Sequence, residues 1–246
     1  MSSQRVGSCH LAEDPAELAA MSSDTAPPVS CSTPHQTETM WMMTVTGPLA
    51  GASRRPNGEL FNKLVSGSCY DYFRERSYLG AGPNDVVWGI ALWARYPTAA
   101  DWAKGARTLV CQGSTSTDTP IGPTVNFPLA GVMKTRHSAL LRLCRSAAGS
   151  PTTCDRPHLA EQVGPSVTLP AGKWPGLKKA SALAVTACKP FAVAYLGGAL
   201  SVHPDLSLTV DDITQAAWTG GNRATNCWLN NKRGNLTTTT VRGGLR

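Results

Sequence analysis

Cys31-Ser-Thr-Pro34-His35-Gln-Thr-Glu38 and Cys154-Asp-Arg-Pro157-His158-Leu-Ala-Glu161 spell one pattern, Cys-x-x-Pro-His-x-x-Glu, with identical spacing. A second pattern, Trp-x-x-Gly-x-Arg-x-x-x-Cys, stands at Trp102, Gly105, Arg107 and Cys111 and returns at Trp218, Gly221, Arg223 and Cys227. Copies this far apart exceed the roughly 20–50 residues of a solenoid repeat, so each is long enough to be a small domain. The sequence predicts a tandem duplication, with one module over residues 1–131 and a second over 132–246. Residues present in both copies define what a module needs, and features confined to one are local additions.

The eight cysteines divide in the same way, Cys9, Cys31, Cys69 and Cys111 against Cys144, Cys154, Cys188 and Cys227. An even number with no Cys-x-x-Cys pair reads as a disulfide framework in an oxidising compartment rather than as zinc clusters or a redox motif. Two copies of one fold share one pairing pattern, which leaves three ways of joining four cysteines. The expected one is first with second and third with fourth: Cys9–Cys31, Cys69–Cys111, Cys144–Cys154 and Cys188–Cys227. The gap between first and second cysteine differs between copies, as suits a loop of tolerant length closed by a bridge. Each bridge is worth about 2–4 kcal/mol, largely through the unfolded state.

Taken in order, the first cysteine, Val29 to Glu38, a helix bearing a cysteine, the Trp-to-Cys pattern and a terminal glycine-rich strand resemble the septum formation domain family of actinobacteria. The resemblance covers nearly the whole chain, once per copy. It implies an extracytoplasmic domain, tethered by a lipid or a transmembrane helix and linked to cell division, with no settled biochemical activity. Two departures are visible: Asp155 stands where the first copy has Ser32, and the opening loop of the second copy is shorter.

The segment closest to a membrane span, Ala180 to Leu200, is interrupted by Lys189 and Pro190, whereas a spanning helix needs about 20 apolar residues. It reads as the core helix of a soluble module. Met1-Ser2-Ser3 is expected to replace a removed anchor, making the chain a trimmed ectodomain. With 41% hydrophobic and 16% charged residues the chain is a globular pair rather than a disordered tail. Its charge is uneven: 9 basic against 11 acidic residues over 1–125 (net −2), and 14 against 5 over 126–246 (net +9). Docked faces and solvation account for most such surpluses, but a basic surface for anionic lipid or wall polymer is the sharper reading. Nucleic acid is excluded as a partner, because the basic residues do not interleave with aromatics in a binding motif.

Periodicity places the patterns on elements. In the first copy, Met40 to Thr46 is a strand, Leu60 to Tyr78 a helix, Val86 to Tyr96 and Thr108 to Cys111 strands, and Trp102 sits on a short turn. In the second, Ala160 to Leu169 is extended, Leu177 to Tyr195 helical, Ser207 to Val210 and Ala224 to Leu229 strands, with Trp218 on a turn. Final strands are expected at Val125 to Leu129 and Thr237 to Val241. The fold class is α+β: two tandem homologous modules, each with one main helix packed on a small, mostly antiparallel sheet and stapled by two disulfides.

His35 with Glu38, and His158 with Glu161, are the candidate site residues. An imidazole and a carboxylate three residues apart suit a metal or an acid/base pair. Zinc needs three or four protein ligands, however, and His10, His137 and His203 have no counterpart in the other copy. A structural role is favoured, with Pro34 and Pro157 holding the preceding residue extended and each Glu paired to the other duplicated charge, Glu38 to Arg107 and Glu161 to Arg223. Trp102 and Trp218 are expected to pack over the helix-to-strand disulfides, and some of the remaining tryptophans to form a binding patch. No nucleophile elbow, P-loop or dinucleotide fingerprint occurs, and no metal or cofactor is called for. The sequence therefore predicts a non-enzymatic extracytoplasmic scaffold or binding protein of the actinobacterial envelope, anchored in its full-length form, with envelope or division proteins as partners. The alternatives are an envelope hydrolase using His35/Glu38 and His158/Glu161, and a binder of anionic lipid or polymer through the second module.

Overall fold

The computed structural model describes residues 4–11, 23, 26–57, 59–60, 63, 69–116, 122–234 and 236–243. The protein is α+β and divides into two compact units, Met1–Gly80 with Gly89–Val132, and Ala81–Trp88 with Met133–Arg246.

In the first unit β1 (Cys9–His10), β2 (Pro28–Val29), β3 (Thr37–Thr44), β4 (Ile90–Arg95) and β5 (Thr108–Thr115) form an antiparallel sheet in the order β2-β1-β3-β5-β4. Cys9 lies opposite Glu38, and Glu38 opposite Gly113. Part of the helix expected over Leu60 to Tyr78 lies outside the described residues. Its described end is a separate helix, α1 (Tyr72–Leu79), which starts afresh because the Asp71 side chain accepts from the amides of Phe73 and Arg74. A short helix α2 (Ala99–Ala103) carries Trp102 and is capped by Thr98.

In the second unit β6 (Leu143–Arg145), β7 (Pro151–Thr153), β8 (Ala160–Gln162), β10 (Leu206–Val210) and β12 (Cys227–Asn231) give the order β10-β12-β8-β6-β7, beside a two-stranded pair of β9 (Val167–Thr168) and β11 (Ala224–Thr225). Both five-stranded sheets run from a short second strand, through the strand of the first cysteine and the strand of the Glu, to the strand of the last cysteine and the strand preceding the Trp turn. Register repeats as well: Cys144 lies opposite Glu161, and Glu161 opposite Leu229.

The main helix of this unit, α3 (Leu177–Leu196), buries Ala180, Ala184, Cys188, Ala192 and Leu196 at a strict four-residue spacing. That spacing keeps one face inward, and its small side chains let the helix lie close to Val163, Cys227 and Leu229. Pro190 is inside the helix but on its exposed side. A neighbouring cluster gathers Leu169, Ile213 and Trp218, the last edge-on to Trp174 at 5.5 Å and carried by α4 (Gln215–Thr219).

The bridges formed are Cys9–Cys31, Cys69–Cys111, Cys144–Cys154 and Cys188–Cys227, with Cα separations of 5.1 to 5.6 Å, inside the usual range. Several expected elements are corrected. The final strands at Val125 and Thr237 are single bridges, to His35 and His158, because the Phe-Pro step in one and the run of threonine turns in the other end the ladder after one pair. The strand expected over Val86 to Tyr96 is only β4; Val87 instead bridges Arg142, and Trp88 donates to the Leu141 carbonyl, so this stretch belongs to the second unit. The stretch Ala160 to Leu169 splits into β8 and β9 at Gly164, whose φ of +76° breaks the strand.

Candidate functional site

The Pro-His-x-x-Glu residues sit at the start of β3 and of β8, and each is a dock for a returning piece of chain. His35 exchanges both backbone hydrogen bonds with Val125, and His158 does so with Thr237. In each ring the Nδ1–H donates to the carbonyl two residues earlier, Thr33 or Arg156, at 2.8 Å. The carbonyl can only accept, so this bond fixes the proton on Nδ1.

Both carboxylates are buried, with exposures of 0% for Glu38 and 2% for Glu161. Glu38 accepts from the Tyr78 hydroxyl and from the amides of Leu129 and Ala130. Glu161 accepts from the Tyr195 hydroxyl at 2.7 Å, the Thr240 hydroxyl at 2.8 Å and the Val241 amide at 2.7 Å. The same tyrosines return the tie through their carbonyls, which accept from Gly131 and Gly243. Burial, and then the bonded carboxylate, push both phenols well above their ordinary pKa, so they stay donors. The two corners differ in one respect. Nε2 of His158 lies 3.3 Å from Glu161 Oε1, whereas Nε2 of His35 is buried without a hydrogen-bond partner.

The ion pairs expected of these carboxylates, Glu38 with Arg107 and Glu161 with Arg223, are not formed. Glu38 lies opposite Gly113 in the sheet, six residues beyond Arg107, and Glu161 opposite Leu229, six beyond Arg223. At about 3.3 Å per strand residue that is about 20 Å, out of reach. Arg107 instead lies over the Trp102 ring at 3.9 Å and donates to the carbonyls of Ala50, Ala52, Trp102 and Ala106. Arg223 donates to Leu169. The indole N–H groups complete these clamps, Trp102 to Ala52 and Trp218 to Gly172. The glycines of the two Trp-x-x-Gly-x-Arg patterns turn the chain between Trp and Arg with φ of +95° at Gly105 and +89° at Gly221.

A metal has few ligands to take here. Cys9, Cys31, His35 and Glu38 bring ligand atoms within 4.8 Å of one another, as do Cys144, Cys154 and His158. The sulfurs in both groups are bound to each other, and a bridged sulfur is no thiolate. What is left in each corner is one imidazole and one carboxylate that already accepts from three donors, short of the set that zinc uses.

The tyrosines were missed by sequence reasoning, although a signal was present. Tyr78-Leu79-Gly80 and Tyr195-Leu196-Gly197 are a third repeat, with both glycines in the left-handed conformation that ends a helix.

A family model described as septum formation matches residues 6–227 in a single span that includes both Pro-His-x-x-Glu corners and all eight cysteines. The chain belongs to the septum formation family. Membership fits a role connected with cell division. No curated protein and no solved structure matches the chain. The four disulfides of this septum formation protein are compatible with an extracytoplasmic location, and no helix among the described residues is long and apolar enough to cross a membrane.

Proposed function

We propose that this septum formation protein is a non-enzymatic scaffold or binding protein of the actinobacterial cell envelope, working outside the cytoplasm from a membrane anchor and engaging envelope or division proteins. We read it also as an internal duplication, two modules divided near residue 131, from the matching strand order, register and disulfides of its halves. The observation that carries the scaffold reading is the saturation of Glu38 and Glu161. Each accepts three hydrogen bonds from its own unit at nearly zero exposure, leaving no open cleft of the kind a general acid or base works in. Replacing Glu161 by Gln removes a charge from three donors and turns an N–H toward one of them. Hydrogen bonds to charged groups are worth about 1.5–3 kcal/mol, so Glu161→Gln should lower unfolding free energy by about 2–3 kcal/mol in chemical denaturation. The hydrolase alternative makes the opposite forecast: a Glu161→Gln protein of unchanged stability that no longer degrades envelope polymer.

A second reading, binding of anionic lipid or wall polymer through the basic half, is favoured by α3. That helix has no acidic residue and exposes Lys178, Lys179 and Lys189 beside Leu177, Leu183 and Val193, the make-up of a helix that rests on an anionic surface. The full chain should then co-sediment with vesicles containing phosphatidylglycerol and be released by salt, since exposed charges are screened over about 8 Å at physiological ionic strength. Retention that ignores salt, or its persistence in a Lys178→Glu, Lys179→Glu, Lys189→Glu variant, would remove this reading.

A further inference from the structure

The second unit contains a cavity of about 550 Å³ that borders the Glu161 corner at Thr240. That volume falls among small-molecule sites, which run to about 300–1,000 Å³. Ala139 and Leu140 give it an apolar wall, and Arg136, His137, Asp155 and the run from Thr238 to Thr240 also line it. One carboxylate oxygen of Asp155, Oδ1, is buried without a hydrogen-bond partner. Buried acceptors are almost always hydrogen-bonded, so such an atom marks a place for a missing donor. Arg136 is exposed and has no ion pair among the described residues. Burial, and then the neighbouring Arg136 charge, lower the pKa of His137, so its ring is neutral at physiological pH. The cavity therefore offers one negative and one positive group on an apolar wall. Ser32 stands at the position of Asp155 in the first Cys-x-x-Pro-His-x-x-Glu pattern, so this carboxylate is peculiar to the second unit.

We propose that the cavity binds a small zwitterion of the amino-acid or dipeptide class, whose ammonium donates to Asp155, whose carboxylate meets Arg136 and whose side chains lie on Ala139 and Leu140. Asp155 is half-buried with one oxygen unpartnered, and a carboxylate favours a charged donor, because charge-assisted bonds are roughly twice as strong as neutral ones. Arg136, on the same cavity, favours a ligand that also carries a negative group, over a simple amine. The proposal goes beyond the scaffold reading and does not depend on it.

The probe is alanyl-alanine, titrated calorimetrically into the full chain, with N-acetyl-alanyl-alanine and alanyl-alanine amide as arms that delete the ammonium and the carboxylate in turn. The expected result is saturable binding of the dipeptide, at least tenfold weaker after N-acetylation and weakened by amidation. Asp155→Ser, which restores the residue of the first pattern and breaks no described hydrogen bond, should keep the melting temperature and lose at least tenfold in affinity. Arg136→Gln should reduce affinity for the dipeptide while leaving that for its amide unchanged. Absence of saturable dipeptide binding, equal binding of the N-acetylated probe, or undiminished binding by Asp155→Ser would each overturn the proposal. The N-acetyl arm uses the unaltered protein and so decides the matter even if a variant folds poorly.

Discussion

Tyr195 joins three parts of the second unit through a few atoms. Its hydroxyl serves Glu161 on β8 and meets Thr240, its carbonyl takes the Gly243 amide, and its ring lies 5.3 Å from the Arg142 guanidinium. The phenol is buried against a carboxylate, so ionising it in the folded state is strongly disfavoured and its pKa is raised. A group whose folded pKa lies above its unfolded value contributes stability that is complete below the unfolded pKa, about 10 for tyrosine, and is lost as pH rises toward the folded value. Above pH ~10 the unfolded chain releases this proton while the folded chain keeps it, which costs about 1.4 kcal/mol per pH unit. Tyr195→Phe should therefore be less stable than the parent at pH 7, having lost the bond to Glu161. It should also show a shallower decline between pH 10 and 11 when melting temperature is followed against pH. Parallel alkaline limbs for the two proteins would mean that this phenol does not stay protonated in the fold. The role of Tyr195 was legible only in part. Its spacing from Cys188 differs from that of Tyr78 from Cys69, so aligning on cysteines hides it, while the glycine that ends each helix keeps it in step.

The elements show why spacing located partners along the chain better than across it. The repeated patterns narrowed the cysteine pairing to three schemes, of which the expected one, first with second and third with fourth, is formed. The Glu partners were not legible in this way, since they depend on register and on what packs over the sheet: the strand pairing carries Arg107 and Arg223 six residues away from the position opposite each Glu, and the donors come instead from a helix-end tyrosine and the returning chain. The helices were half legible. Asp71 is an ordinary N-cap signal for α1, yet an apolar stripe on both sides of it reads as one longer helix. The helix α3 was legible throughout, since its alanines recur every fourth residue. That stripe is also its vulnerability. Ala184 is fully buried, whereas Ala187, at the border of the buried stripe, is exposed. Overpacking a filled site costs about 1–3 kcal/mol, and a surface change of this kind stays within about 0.5 kcal/mol. Ala184→Leu should thus lower the denaturation midpoint markedly and Ala187→Leu should barely move it; equal midpoints would contradict close packing of α3 on its sheet.

At the scale of the whole molecule, the division of the chain is not a single cut. Residues Ala81–Trp88 lie within the first half of the sequence and fold into the second unit. The physical cause is charge. Arg142, with 1% exposure, donates to Asp85 at 3.0 Å, to Ser138 and to the Met133 carbonyl, and Arg242 reaches the same Asp85 oxygen at 3.2 Å. Among the described residues of 132–246 no acidic side chain pairs with Arg142; Glu161 is taken by Tyr195, Thr240 and Val241. The hydrophobic pattern at Val86 and Val87 reads as the start of a strand, and nothing in the local sequence shows that Asp85 answers a guanidinium 57 positions away. Removing one partner of a buried ion pair costs about 3–5 kcal/mol, whereas replacing both with apolar groups of similar volume is often neutral. Asp85→Asn should therefore destabilise the protein by about that amount, and adding Arg142→Met should recover much of the loss, with Arg242 released to solvent. Residues 132–246 expressed alone carry Arg142 without Asp85, and should unfold at lower denaturant than the second transition of the full chain. If that fragment instead unfolds at the same denaturant concentration, and Asp85→Asn leaves the full chain unchanged, the segment Ala81–Trp88 is not a structural part of the second unit.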